Sequence, residues 1–268
     1  MKTLVWRPGK IEFKKIPSHH AILFQVALTL IIILFLNTLS AYSQDKPKMN
    51  MDTIPGKKQM TMPMDNSMAA MVHPFFTHMG MPHKVGEYNL RFAVLSTQID
   101  KKSEADFALQ FETGLTKFAG LHLVLESDKT EIMFQFAALK SKNGMNAFSP
   151  LIEFEIPTHE GIYTQVGFAS TLSNTRIAFH QVLHYGVREK NVEGGVALVY
   201  TLSKNIFLIT EFLGEKKQDE QANMNLLGGL KIRINDFLLL GFGIQFPVSA
   251  NRSFSSQFIF QPDLQLKN

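Results

Sequence analysis

The chain has 268 residues, of which 45% are hydrophobic and 19% are charged, and it contains no cysteine. This composition excludes a collagen-like, a disulfide-framework or a highly charged disordered protein as a description of the whole chain. The net charge of +4 lies in residues 1–43, which hold five basic residues and one acidic residue; 22 of each sign remain after position 43 (27 less 5, and 23 less 1). Nucleic-acid binding, which needs a basic surface, is therefore not expected.

The N-terminal segment has the order of a secretory signal peptide. A basic stretch precedes an apolar run at 21–36, and the sequence A-Y-S at 41–43 places small residues where a signal peptidase reads them. We therefore expect residues 1–43 to be a signal peptide that is cleaved before Gln44. The alternative is an uncleaved anchor, because the run is only slightly shorter than the ~20 residues that span a bilayer.

Residues 44–84 differ in composition from everything that follows them. They are rich in Met, Lys, Pro and Asp and poor in aliphatic residues, with no sustained period. Such a segment buries too little apolar surface to offset the entropy that it loses on ordering. The sequence therefore predicts a flexible periplasmic arm over 44–84.

The arm concentrates residues that bind soft metal ions. Nine of the 13 methionines lie between positions 49 and 81, at M-x-M and M-x-x-M spacings, with three histidines among or beside them. Thioether sulfur prefers Cu(I) or Ag(I) to Zn(II) or Mg(II), and closely spaced thioethers in a flexible chain converge with little strain. The predicted ligands are Met79, Met81, His78 and His83 first, then Met60, Met62 and Met64, together with Met68, Met71 and His73. The alternatives are a plain linker, a docking peptide and an oxidant scavenger.

From position 87 onward, apolar residues recur two apart and not three or four apart. Phe107, Leu109 and Phe111, for example, alternate with Gln110 and Glu112. Alternation with period two is typical of a β-strand with two different faces. The segments that show it are 87–98, 104–114, 119–127, 131–140, 149–157, 161–171, 175–185, 191–202, 205–214, 223–234, 237–248 and 253–261.

The connections between these segments are short and carry turn residues, which indicates an antiparallel meander. Segments of this length match tilted membrane strands, whereas strands of soluble proteins usually have five or six residues. The fold predicted is therefore all-β: an antiparallel up-and-down transmembrane β-barrel of about 12 strands over 85–262, followed by a short tail, 263–268. A soluble periplasmic β-barrel carrier is the alternative, because alternation alone does not say which face meets water.

Three stretches carry a resemblance to a known group: THMGMPHKVGEYNLR (77–91), EIMFQFAALKSKNGMNAFSPLIEFEIPT (131–158) and NVEGGVALV (191–199). They resemble small outer-membrane barrels of Bacteroidota and Proteobacteria, similar to the phenol-degradation meta-pathway transporter barrels and to barrels found with metal-efflux genes. The resemblance implies an outer-membrane location and traffic of metal ions or small molecules. It implies no catalytic residue.

Polar side chains on the strands are candidates for the barrel lumen, where we interpret them as paired charges. They are Arg91, Glu112, Glu126, Glu131, Glu153, Glu155, Arg176, His180, His184, Glu193, Glu211, Lys231 and Arg233. The sequence has no G-x-S-x-G, H-E-x-x-H or P-loop motif and no cysteine nucleophile, so an enzyme is not expected.

The leading functional hypothesis is an outer-membrane barrel whose arm binds Cu(I) or Ag(I) in metal tolerance or efflux. It requires no cofactor, and its partners are outer-membrane lipid and metal-efflux components. The first alternative is a barrel for small organic solutes in which the arm is a plug or tether. The second is the soluble carrier.

Overall fold

The computed structural model describes residues 68–99, 102–141, 146–159, 161–250 and 252–267. Among these residues, no helix has the length and apolar character needed to cross a bilayer. The predictions made for residues 1–67, among them the signal peptide and the ligands Met60, Met62 and Met64, lie outside the described residues. The elements are a 3-10 helix, Ala69–Met71, and the strands β1 (Glu87–Ile99), β2 (Lys102–Gly114), β3 (Ala119–Leu125), β4 (Lys129–Phe136), β5 (Leu139–Lys140), β6 (Ala147–Pro157), β7 (Tyr163–Ser173), β8 (Ile177–Gly186), β9 (Val192–Ser203), β10 (Ile206–Lys216), β11 (Asn223–Arg233), β12 (Leu238–Pro247) and β13 (Ser256–Lys267).

The strands form one closed antiparallel barrel. Each long strand pairs with the strands before and after it, β1 pairs with β13, and β4 pairs with β6. The short strand β5 pairs with the first residues of β6, beyond the stretch that β4 covers. The predicted segment 131–140 is thus divided between β4 and β5. The barrel wall has 12 long strands, which confirms the predicted fold class.

The two faces of the wall have opposite character. Inward positions carry buried polar groups: Asn89, Arg91, Glu112, His122, Gln135, Glu153, His180, Glu211, Lys231 and Gln261. Outward positions carry large exposed apolar side chains: Phe92, Phe107, Phe136, Phe148, Val166, Leu183, Val196, Leu208, Phe212, Leu226, Phe242, Phe246, Phe258 and Phe260. This distribution is the reverse of a soluble β-protein and is typical of a barrel whose outer face meets lipid.

The last strand is longer than the sequence predicted. β13 runs to Lys267, so residues 263–267 belong to the wall and not to a tail. Pro262 suggested an end to the strand because it cannot donate a backbone hydrogen bond. The structure accommodates it by a break in the β1 ladder, whose partners pass from Arg91–Asp263 directly to Val94–Phe260.

Residues 68–85, which we call the lumen segment, fold inside the barrel. Ala69, Val72 and Phe75 are fully buried and pack with inward apolar residues of β8 to β13 such as Val199 and Ile209. The prediction of a flexible arm is therefore wrong for residues 68–84. The segment does not bury enough surface by itself, but the barrel wall supplies both the apolar contacts and the polar partners that order it.

Candidate functional site

The lumen segment is anchored to the wall at Glu211 of β10. The Glu211 carboxylate accepts hydrogen bonds from the backbone N–H groups of Phe75, Phe76 and Thr77, the last at 2.9 Å. The Thr77 hydroxyl donates to the same carboxylate at 2.9 Å. A buried carboxylate needs such donors, because burying an unpaired charge is costly. One side chain of the wall thereby satisfies three consecutive backbone donors of the segment.

The Phe75 ring lies in a space made by glycine. A Cβ built on Gly229 of β11 would come within 2.8 Å of Phe75 Cζ, which real side chains do not tolerate. The Lys231 ammonium lies 5.1 Å from the centre of the Phe75 ring, a cation–π contact. The Gln261 amide donates to the Phe75 carbonyl at 3.3 Å. The wall is thus shaped and polarised to hold this residue.

A second anchor lies at Gly80, which bonds to β6 and β7, three to four strands away from β10. The Gly80 N–H donates to the Thr171 hydroxyl oxygen at 2.8 Å, and the Ser149 hydroxyl donates to the Gly80 carbonyl at 2.6 Å. A Cβ at Gly80 would lie 2.5 Å from the Ser170 Cα, so the backbone approaches β7 as closely as only glycine permits. The segment is therefore fixed to the wall at two separate places, on β10 and on β6 and β7.

A cluster of ionisable side chains surrounds Glu112 of β2, on a third part of the wall. His73 Nε2 and His83 Nε2, both from the lumen segment, lie 3.2 and 3.1 Å from Glu112 Oε2. The two nitrogens are 3.1 Å apart, and the two rings stack at 5.1 Å between centroids. The Arg91 guanidinium binds the other oxygen, Oε1, and His122 Nδ1 lies 3.2 Å from that same atom. We call these five residues the Glu112 cluster.

The cluster continues into a chain of polar contacts around the lumen. His122 Nε2 and Gln135 Oε1 are 3.0 Å apart, and the Gln135 amide donates to the Met79 carbonyl at 2.7 Å. The His78 ring lies edge-on to His122 at 5.3 Å and tilted to His184 at 6.1 Å. The lumen segment therefore supplies three imidazole rings. Two of them, His73 and His83, belong to the Glu112 cluster, and the third, His78, contacts its member His122.

Burial keeps two histidines of the segment, His73 and His78, neutral. It lowers the pKa of His73 well below the usual range, against the opposing pull of the Glu112 carboxylate. Burial, reinforced by the neighbouring His122, lowers the pKa of His78 to about 3. A neutral imidazole has a nitrogen lone pair, so these rings can accept a hydrogen bond or bind a metal ion at pH 7.

The described methionines of the predicted metal site differ in their burial. Met68 packs against the apolar cluster of the lumen segment, and Met71 is 41% exposed. Met79 is buried, and Met81 is partly buried. Of the ten predicted ligands, the structure brings His73 and His83 together.

The predicted lumen charges form several ion pairs. Lys231 Nζ lies 3.5 Å from Asp263, His184 Nδ1 lies 3.2 Å from Glu153, and Arg91 binds Glu112. The sequence-based selection omitted His122, a central residue of the cluster. Its signal was its position: His122 alternates with Leu121 and Leu123 and so lies on the polar face of β3.

The fold, with its polar lumen and its apolar outer face, is that of an outer-membrane β-barrel. Solved structures with the same fold include the KdgM porin (10% identity, 66% of this chain and 98% of that chain, TM-score 0.51). Others are the NanC porin (8%, 68% and 100%, 0.51) and an outer membrane channel from Pseudomonas putida F1 (9%, 73% and 100%, 0.51). No family model and no curated protein match the sequence, so the specific families suggested by the resemblance have no support from these comparisons.

Proposed function

We propose that the protein is an outer-membrane channel for small solutes that its own lumen segment closes. The observation that carries this proposal is that residues 68–85 bond to inward side chains on strands all around the barrel. The wall residues in direct contact with the segment are Arg91, Glu112, Gln135, Ser149, Thr171, Glu211, Lys231 and Gln261. Permeation then requires the segment to move.

The polar character of these contacts supports a segment that can move. Most of them are hydrogen bonds and ion pairs. Because water replaces the lost partner, a neutral hydrogen bond contributes only about 0.5–1.5 kcal/mol net and one to a charged group about 1.5–3 kcal/mol. The charged and amide groups of the wall are readily hydrated once the segment leaves, although the apolar wall residues of β8 to β13 that contact the segment then meet water as well. In this proposal residues 1–43 direct the export of the chain, and the barrel is inserted in outer-membrane lipid.

A second candidate function is the handling of Cu(I) or Ag(I) in metal tolerance, with metal-efflux components as partners. The composition of residues 49–81, rich in thioether ligands, favours it. In this second function, the thioethers of methionines that precede the lumen segment, such as Met60, Met62 and Met64, capture the ion and pass it to the barrel lumen. A Cu(I) competition titration of the chain from Gln44 against a variant with Met60, Met62 and Met64 replaced by leucine tests the capture step. Equal affinity in the two proteins would contradict it.

Two neighbouring glycines give a matched test of the closed channel. In Gly229→Ala the new methyl group displaces the Phe75 ring, whereas at Gly228, on the outer face, a Cβ would meet nothing within 4 Å. In planar bilayers we expect Gly229→Ala and a deletion of residues 68–84 to raise the open fraction severalfold over the parent protein. Gly228→Ala is expected to match the parent. A deletion variant that assembles but conducts no better than the parent would overturn the proposal.

A further inference from the structure

Three ligand atoms of the Glu112 cluster form a compact triangle. Its corners are His73 Nε2, His83 Nε2 and Glu112 Oε2, and its sides measure 3.1, 3.1 and 3.2 Å. A tetrahedral ion with bonds of about 2.0–2.1 Å to nitrogen and oxygen holds its ligands about 3.3–3.5 Å apart. The triangle therefore matches one face of such a coordination sphere to within a few tenths of an ångström.

Protons alone do not satisfy this triangle. With a proton on each Nε2, both rings donate to Glu112 Oε2, but the two N–H groups then crowd each other across 3.1 Å. With a proton on only one ring, the bare nitrogen of the other faces the carboxylate oxygen at 3.1 or 3.2 Å. Every arrangement with neutral rings leaves one repulsive side, whereas a cation between the three atoms attracts all of them.

The surroundings hold the carboxylate in the orientation that a metal site needs. The Arg91 guanidinium binds Glu112 Oε1, which leaves Oε2 directed at the two histidines. His122 Nδ1 lies 3.2 Å from Oε1, and its other nitrogen contacts Gln135. Ligating carboxylates are commonly fixed by such hydrogen bonds, which set the ligand geometry before the ion binds.

The ligand set decides the class of ion. Two imidazole nitrogens and one carboxylate oxygen are the donors of many zinc sites, and imidazole also suits Cu(II) and Ni(II). None of the three atoms is a sulfur, the donor that Cu(I) and Ag(I) prefer. A set of His78, Glu112 and His122 lies beside the first one and uses the same carboxylate, so Glu112 is common to both.

We propose that His73, His83 and Glu112 form a site for a divalent transition-metal ion such as Zn2+, which joins the lumen segment to the barrel wall. Two ligands belong to the segment and one to β2, so the ion binds only while the segment is in place. Ligand binding to one of two states stabilises that state by RT ln(1 + [L]/Kd). The ion therefore closes the channel more firmly, a consequence that rests on the proposed function, whereas the site itself does not.

The test is a titration of Zn2+ into the full chain from Gln44, in detergent and freed of metal with EDTA. We expect one equivalent to bind to the parent protein, and at least about tenfold weaker binding in His83→Ala and in Glu112→Gln. His159→Gln, at an exposed histidine of the β6–β7 turn, is the control and is expected to bind like the parent. Heat-dependent mobility on gels shows that each variant still forms a barrel.

Several results would overturn the proposal: no bound equivalent in the parent, equal affinity in the His83→Ala barrel, or binding of Cu(I) without binding of Zn2+. Should Glu112→Gln fail to assemble, His83→Ala alone decides, since its side chain is at the edge of the cluster and 14% exposed. Conductance with and without Zn2+ separates the two proposals. If the deletion of residues 68–84 opens the channel but the parent protein binds no Zn2+, the metal site is wrong and the closed channel stands. If the parent protein binds Zn2+ but neither it nor the deletion variant ever conducts, the closed channel is wrong and the metal site stands.

Discussion

At the scale of residues, Glu211 is the side chain that fixes the position of the lumen segment. Its carboxylate accepts from three consecutive backbone N–H groups, so it acts on the backbone conformation of residues 75–77 and not on one side chain. Hydrogen bonds to a charged group contribute about 1.5–3 kcal/mol each, roughly twice a neutral one. Lys231 and Arg91 add bonds to the Pro74 carbonyl at 3.4 and 3.3 Å. The turn at 74–77 is therefore held through both its donors and an acceptor.

Acid is expected to release the segment, because His73 and His78 are buried in the neutral form. The pKa of His78 is about 3 in the docked segment, below the ordinary 6.5 that it regains in water, and burial is the main cause. Docking is thus most favourable above pH 6.5 and weakens as the pH falls from 6.5 toward 3. At pH 4.5 this histidine alone disfavours docking by about 2–3 kcal/mol.

Hydrogen exchange of the amides of residues 75–77 measures this effect. Protection, corrected for the intrinsic dependence of exchange on pH, should fall by one to two orders of magnitude between pH 7.5 and pH 4.5. His78→Gln removes part of this dependence, whereas His159→Gln, outside the lumen, leaves it unchanged. Equal protection at both pH values would contradict the docked and neutral state of His78.

At the scale of elements, β13 closes the barrel through residues that follow a proline. Residues 263–267 pair with β1 from Glu87 to Arg91, and Asp263 is the buried partner of Lys231. A chain that ends at Pro262 loses these five pairs and leaves the Lys231 ammonium buried without its carboxylate, which costs several kcal/mol. We expect this truncation to abolish the heat-dependent gel shift of a folded barrel.

The matched truncation removes only Lys267 and Asn268. The ion pair that it loses, Lys267 with Glu87, spans 3.9 Å at the surface, where such pairs contribute little. Normal folding of both truncated chains would show that the extension of β13 past Pro262 does not stabilise the barrel.

These elements also show what the sequence determines and what it leaves open. The alternation in β2, β4 and β11 predicted the strands and their faces, because a wall residue meets either lipid or lumen. The same alternation continues through Leu264 and Leu266, but Pro262 concealed it. The ordered structure of residues 68–84 could not be predicted from composition. It depends on contacts with Glu211, Gly229 and Thr171, which lie more than 80 positions away along the chain.

At the scale of the whole molecule, the candidate site was likewise predictable from the sequence only in part. The sequence placed His73 and His83 among metal ligands and Glu112 on the polar face of β2. It did not bring them together, because the nine residues between the histidines follow no regular period and the carboxylate lies on another element. It also favoured sulfur as the donor, whereas the three atoms that meet at Glu112 are two nitrogens and one oxygen. Residue types were therefore predictable, whereas the donor set needed the closed barrel.

The last prediction concerns whether the outer face of the barrel meets lipid or water, because this difference distinguishes a membrane barrel from a soluble carrier. Phe212 of β10 points outward at 41% exposure, and its partners on both neighbouring strands, Val196 and Leu226, are apolar and exposed. A lysine near the middle of a lipid-facing strand costs about 2–4 kcal/mol in a bilayer. Phe212→Lys should therefore fold into lipid vesicles with a clearly lower yield than the parent chain.

Val187→Lys is the matched control, because it places the same charge on an exposed apolar residue of the β8–β9 turn, outside the strands. It should fold into vesicles like the parent, since a lysine at the rim of a barrel reaches water. In water without detergent, a soluble carrier would gain solubility from both substitutions equally. Equal yields of Phe212→Lys and Val187→Lys in vesicles would therefore mean that the apolar face does not meet lipid, and that the closed lumen belongs to a soluble protein.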